Sequence, residues 1–91
     1  VHTKYYLRLI VKDKPGVLAS ITGVLGNHQV SLASVIQKRR LDMEGDLMAE
    51  IVMITHEVLE QDIQDALAVL KGFSIIGSIE NIVRVEGGTK Q

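Results

Sequence analysis

Between Lys4 and Lys12 the chain alternates, with Leu7, Leu9 and Val11 falling to one side and Tyr6, Arg8 and Ile10 to the other. A period of two is that of a pleated strand with one buried face, so this stretch is predicted as the first strand. Asp13-Lys14-Pro15-Gly16 interrupts it, and the period then changes. Val17, Leu18, Ile21, Val24 and Leu25 recur at helical spacing and make one apolar stripe. Proline suits the first turn of that helix, whose N–H groups have no intrahelical acceptor. Gly26-Asn27 is expected to close it, since both residue types accept a left-handed conformation.

Val30 to Arg39 reads as a second strand, with Val30, Leu32 and Ile36 on one face. The polar run Asp42-Met43-Glu44-Gly45-Asp46 supplies a hairpin turn, and Leu47 to Thr55 is the third strand. Helical spacing returns at Leu59, Ile63, Ala66, Leu67 and Leu70 and stops at Lys71-Gly72, a cation and a glycine where each is favoured. Ile75 to Val85 is the last strand, with a bulge expected near Gly77. The order β-α-β-β-α-β, with right-handed crossovers, implies an α+β ferredoxin-like sandwich: a four-stranded antiparallel sheet with both helices on one face. Residues 1–86 would form this domain and 87–91 a polar tail. The opposite face of the sheet would carry Tyr6 and Ile10, and a bare apolar face predicts a partner, either another copy or the rest of a parent chain.

Composition narrows the function. Ninety-one residues suit one domain, and 46% hydrophobic residues suffice for one core. Ten basic residues against eleven acidic leave a net charge of −1, unlike the basic face of a nucleic-acid binder. The run Lys38-Arg39-Arg40 is read as a solvated strand end. RNA-binding domains of this topology stack bases on aromatic residues of the central strands, but only Tyr5, Tyr6 and Phe73 are aromatic here, and the third strand has none. The chain has no cysteine, which excludes disulfides and thiolate chemistry and suits a cytoplasmic location. No apolar run approaches the roughly 20 residues of a membrane-crossing helix. The chain begins with Val1, so it is expected to be a fragment or a processed product.

No catalytic set emerges. His2, His28 and His56 are scattered and do not predict a metal site; Ser20, Ser31 and Ser34 lack a nucleophile context; Gly16, Gly23 and Gly26 have the wrong spacing for a phosphate loop. Met43, Met48 and Met53 are expected in the hairpin and core. The informative segment is Asp13-Lys14-Pro15-Gly16-Val17-Leu18. The free amides of Gly16, Val17 and Leu18, with the positive end of the helix dipole, can seat a carboxylate. Asp13 beside them can either accept a bond from an ammonium group, completing a seat for a zwitterionic amino acid, or simply cap the helix. At the other end of the helix, Asn27-His28-Gln29-Val30-Ser31 is either a set of ordinary loop residues or the second half of a site supplied by a neighbouring copy.

At Asp13-Lys14-Pro15-Gly16-Val17-Leu18 the chain resembles an ACT domain, the small-molecule sensing module of amino-acid metabolism, and the likeness runs on through Ala19–Leu25 and 27–37. Ile51 to Glu57 and Ile79 to Val85 are similar to the C-terminal ACT segment of bacterial homoserine dehydrogenases. The resemblance implies side-by-side pairing of copies through the first helix and second strand, with an effector amino acid near that interface. It implies a non-catalytic regulatory domain without a cofactor of its own. NAD(P) would belong to the catalytic domain of a parent enzyme that reduces aspartate semialdehyde, and the effector would be threonine or another end product of the aspartate pathway. By position, the effector residues would be Asp13, Lys14, Pro15, Gly16, Val17 and Leu18 of one copy, with Asn27, His28, Val30 and Ser31 facing them. Val30 stands where several sensing relatives have asparagine.

Overall fold

A computed structural model describes residues 2–85. The elements are β1 (His2–Lys12), α1 (Val17–Asn27), β2 (Leu32–Leu41), β3 (Leu47–Thr55), β4 (Val58–Leu59), α2 (Glu60–Lys71) and β5 (Ile76–Val85). The four long strands lie side by side as β2-β3-β1-β5, every neighbouring pair antiparallel, as the ferredoxin-like arrangement requires. β4 adds a two-residue pairing of Val58 and Leu59 with Thr3 and His2.

The alternation in β1 decides which way the sheet faces. Leu7, Leu9 and Val11 are fully buried, and they pack in one cluster with Ala49, Ile51 and Met53 of β3. Ile21 and Leu25 of α1 and Ile63, Ala66, Leu67 and Leu70 of α2 join that same cluster, so both helices cover the same face. One polar side chain is buried there: Thr55 Oγ1 accepts the Tyr5 amide at 3.0 Å, which satisfies a backbone donor that the ladder leaves free. The Asp42–Asp46 turn forms as expected. An Asp42 carboxylate oxygen accepts the Glu44 and Asp46 amides at 3.0 and 2.7 Å, and Gly45 has a φ of 86°.

Several local expectations change. β2 begins at Leu32, and a bulge between Leu32 and Ser34 reverses the sides of the residues that follow. Leu32 therefore packs on the core, while Ile36 points to the opposite face and is 55% exposed. The left-handed residue after α1 is Gln29 at φ 65°, not Gly26 or Asn27, because the helix runs on through Asn27. α2 starts at Glu60. Leu59 is its extended N-cap, and Val58 is the buried residue of that pair. Gly72 is right-handed, so the second helix ends without a left-handed cap. The bulge at Gly77 is present as a shift in pairing between Ile10 and Val11, and a second one falls at Glu80. A Cβ at Gly77 would lie 3.1 Å from the Ile10 carbonyl oxygen, closer than well-packed atoms approach, which is why a side chain is missing there. The predicted tail at 87–91 lies outside the described residues.

Candidate functional site

The turn between β1 and α1 is anchored at both edges of the sheet's end. The Lys12 amide donates to the Ile75 carbonyl at 2.9 Å and the Asp13 amide to the Leu47 carbonyl at 3.3 Å. Gly16 is the N-cap of α1 with φ 86° and ψ −9°, and no side chain caps the helix. Its carbonyl accepts both the amide and the hydroxyl of Ser20, at 3.0 and 3.1 Å. The Val17 amide turns back to the Lys14 carbonyl at 3.3 Å, so it is not free as the sequence suggested. The Leu18 and Ala19 amides have no acceptor among the described residues. A Cβ placed on Gly16 would meet nothing within 4 Å, so the space above this turn is open.

Asp13 is not a cap. Its carboxylate accepts from Arg39 Nε at 2.9 Å, and its side chain is 16% exposed. This contact follows from register. Val11, Ala49 and Arg39 share one row across β1, β3 and β2, and the small Ala49 lets the Arg39 guanidinium reach over to Asp13. In the sequence Arg39 belongs to a solvated run, and it is the strand register that brings it to the turn. Beside the turn lies an open depression of about 440 Å³, bordered by Lys12, Asp13 and Lys14 on one side and by Asp42, Asp46 and Leu47 of the hairpin on the other.

The two groups of sequence-predicted residues do not meet within one copy. α1 is 11 residues long, so its ends lie about 16 Å apart. Lys14, Pro15 and Gly16 are exposed, Leu18 is half-buried against the core, and Val17 is buried within it. At the far end Asn27 and Ser31 are exposed, whereas Val30 is buried and donates its amide to the Leu25 carbonyl at 2.9 Å. Val30 is thus packed in the core of the single copy. His28 is half-buried, with Nδ1 3.0 Å from the Val24 carbonyl oxygen. Among the described residues no cluster of three or more His, Asp or Glu could hold a metal ion, and no helix is long and apolar enough to cross a membrane.

The helix-free face holds a separate charged group. Arg8 pairs with Glu50 and stands 3.8 Å from Glu80, while Arg8 Nη1 donates to Asn81 Oδ1 at 3.4 Å. The hydrogen bond from Arg8 lowers the Glu50 pKa, aided by the charges of Arg8, Arg40 and Lys38 and opposed by partial desolvation. A carboxylate whose folded pKa is depressed stabilises the fold above its unfolded pKa and loses that contribution as pH falls through the folded value. Glu50→Gln is therefore expected to flatten the loss of stability on acidification below the ordinary glutamate range and to leave the neutral-to-alkaline region unsloped, as read by urea unfolding across pH. An unchanged acid slope would show that other carboxylates carry it.

The model of the ACT domain family matches residues 5–74. The chain belongs to the ACT domain family. It is 38% identical over 86 residues to a homoserine dehydrogenase of Methylobacillus glycogenes, covering 94% of this chain and 20% of that protein. It is 35% identical over 82 residues to the homoserine dehydrogenase of Pseudomonas aeruginosa, covering 90% and 18%. The crystal structure of a homoserine dehydrogenase from Thiobacillus denitrificans superposes with a TM-score of 0.80 at 32% identity, over 94% of this chain and 18% of that one. This ACT domain thus spans about a fifth of the length of the curated relatives it matches. A more distant likeness, the ACT domain from GTP pyrophosphokinase of Chlorobium tepidum, shares the fold at a TM-score of 0.56 and 14% identity.

Proposed function

We propose that this ACT domain is the amino-acid-sensing regulatory part of a homoserine dehydrogenase, with the NAD(P)-dependent chemistry carried by a catalytic domain outside this chain. What supports the sensing role is the β1–α1 turn: two amide donors, Leu18 and Ala19, without an acceptor among the described residues, follow a glycine N-cap, and the same turn carries the Asp13 carboxylate three residues before that cap. A free amino acid matches this set, its carboxylate on the amides at the positive end of α1 and its ammonium on Asp13. Arg39 then gives up part of its contact with Asp13. Because Asn27, His28 and Ser31 sit at the other end of α1, a second copy paired through α1 and the β2 edge has to bring them to the seat. An effector held by two copies favours whichever pairing places those groups correctly, and regulation is the difference in its affinity for the two arrangements. Threonine leads the candidates as an end product of the aspartate pathway.

Calorimetric titration of the chain with threonine, isoleucine, methionine, serine and lysine tests this reading, with amide NMR shifts recorded in parallel. Saturable heat from one of them, with the Leu18 and Ala19 amides among the most shifted, is the expected result. Silence from all five would leave a dimerisation domain of the same enzyme that binds no ligand.

A further inference from the structure

The face of the sheet away from the helices is not a neutral surface. It presents Tyr6, Ile10, Ile36, Val52, Ile54 and Val83, of which Ile36 and Val83 are 55% and 49% exposed. Its charges run in columns along the strands. β2 contributes Lys38 and Arg40 to this face, and neither has a carboxylate at ion-pair distance among the described residues. In the middle, Arg8 and Glu50 neutralise each other. At the opposite border, the bulge in β5 brings Glu80 onto the same face, where its side chain keeps 42% exposure.

We infer that this face is covered by a second copy of the chain, sheet against sheet, about a twofold axis that runs parallel to the strands between the two sheets. Such an axis lays β2 of one copy over β5 of the other and leaves each residue at its own height along the strand. Lys38 shares a row with Glu50, Ile10 and Ser78, next to the bulged Glu80. Lys38 of each copy therefore lies over Ser78 of the other, where its long side chain extends along the strand to Glu80, and symmetry makes the pair twice. In the same stack Ile54 lies over Tyr6, so the apolar end of the face closes on itself. The alternative twofold, across the strands, lays β2 over β2 and sets the basic column above Ser34 and Ile36 with no carboxylate opposite. Charge complementarity selects the first axis, which is also the aligned geometry of sheet sandwiches. Four strands about 4.8 Å apart, over about seven residues each, give roughly 450 Å² per copy, or roughly 900 Å² in all. That lies at the small end of specific interfaces, so the association is weak and concentration-dependent. It uses neither the β1–α1 turn nor the free edge of β2, and it stands whether or not an effector binds.

Zero-length carbodiimide cross-linking of the 91-residue chain, mixed from ¹⁴N- and ¹⁵N-labelled material, tests it directly. The expected product is a Lys38–Glu80 link carrying both labels. Within one copy these residues lie three strand spacings apart, about 14 Å, beyond the reach of a bond-forming reagent. Sedimentation equilibrium supplies the second readout. Lys38→Glu and Glu80→Lys are each expected to weaken association about fivefold, in keeping with exposed ion pairs present twice, and the double exchange to recover most of it. Val83→Lys, on the strand farthest from the β2 edge, is expected to weaken association about tenfold or more by placing charge in the apolar patch. The inference is overturned if no mixed-label Lys38–Glu80 link forms, if the double exchange recovers nothing, or if association is indifferent to Val83→Lys.

Discussion

Shortening Leu9 to alanine is expected to remove about 3 kcal/mol of stability, close to the middle of the range for truncations of fully buried leucines. Leu9 has no exposed surface and sits mid-strand between Ile51 of β3 and Ile79 of β5, beneath both helices. The structure cannot collapse onto the lost atoms there, because its neighbours are held by ladders on either side. A domain of 91 residues has a total stability of about 5–14 kcal/mol, so this one change takes a large fraction of it. Urea unfolding followed by circular dichroism measures the loss. Ile36→Ala on the open face is the control, expected to cost the isolated chain less than about 0.5 kcal/mol. Equal losses at the two positions would mean that the core does not lie on the helix side of the sheet.

Gly16→Val is expected to cost about 2 kcal/mol and to abolish any effector response. The reason is conformational and not steric: φ is 86° at this N-cap, yet the space around a Cβ is empty. A left-handed backbone costs an ordinary residue about 1–2 kcal/mol, and β-branching raises that toward the upper end. Relief comes only by rotating the turn, which swings the Leu18 and Ala19 amides out of line. Asparagine tolerates the same φ and is a good N-cap, so Gly16→Asn is expected to stay within about 1 kcal/mol of the parent chain. Thermal unfolding of the two variants, paired with calorimetric titration, separates backbone strain from ligand contact. If valine and asparagine behave alike, the positive φ is not what fixes this turn.

Most of the fold is legible in the sequence because the buried faces of β1 and β3 repeat with period two and those of the helices with period 3.6. Leu47–Thr55 is recovered to the residue. The misses have local physical causes. The bulge at Leu32–Ser34 breaks the period within β2, and an edge strand whose residues are nearly all exposed offers no burial signal to correct for it. Leu59 matched the helical spacing, but the pairing of Val58 and Leu59 with β1 takes precedence and delays α2 to Glu60. Within the candidate site, the Asp13–Leu18 turn was visible as a proline and glycine between two periodicities. Arg39 was not, since it reaches Asp13 from 26 residues away and only across the small side chain of Ala49. Val30, a site residue by position, is packed in the core of the single copy, a placement that the strand pattern alone does not give.

The two borders of this sheet are unlike each other, and that limits how copies can polymerise. β2 is a long strand, regular from Ser34 onward, while β5 is kinked twice, at Gly77 and Glu80. Growth into a fibril needs β2 of one molecule to add to β5 of the next, again and again, and a doubly bulged strand makes a poor template for that ladder. Two β2 strands can still join each other, and such a self-matching contact is finished after one step. At high concentration, pairing along the sheet edges therefore stops at two copies and does not run on into an endless ladder of strands.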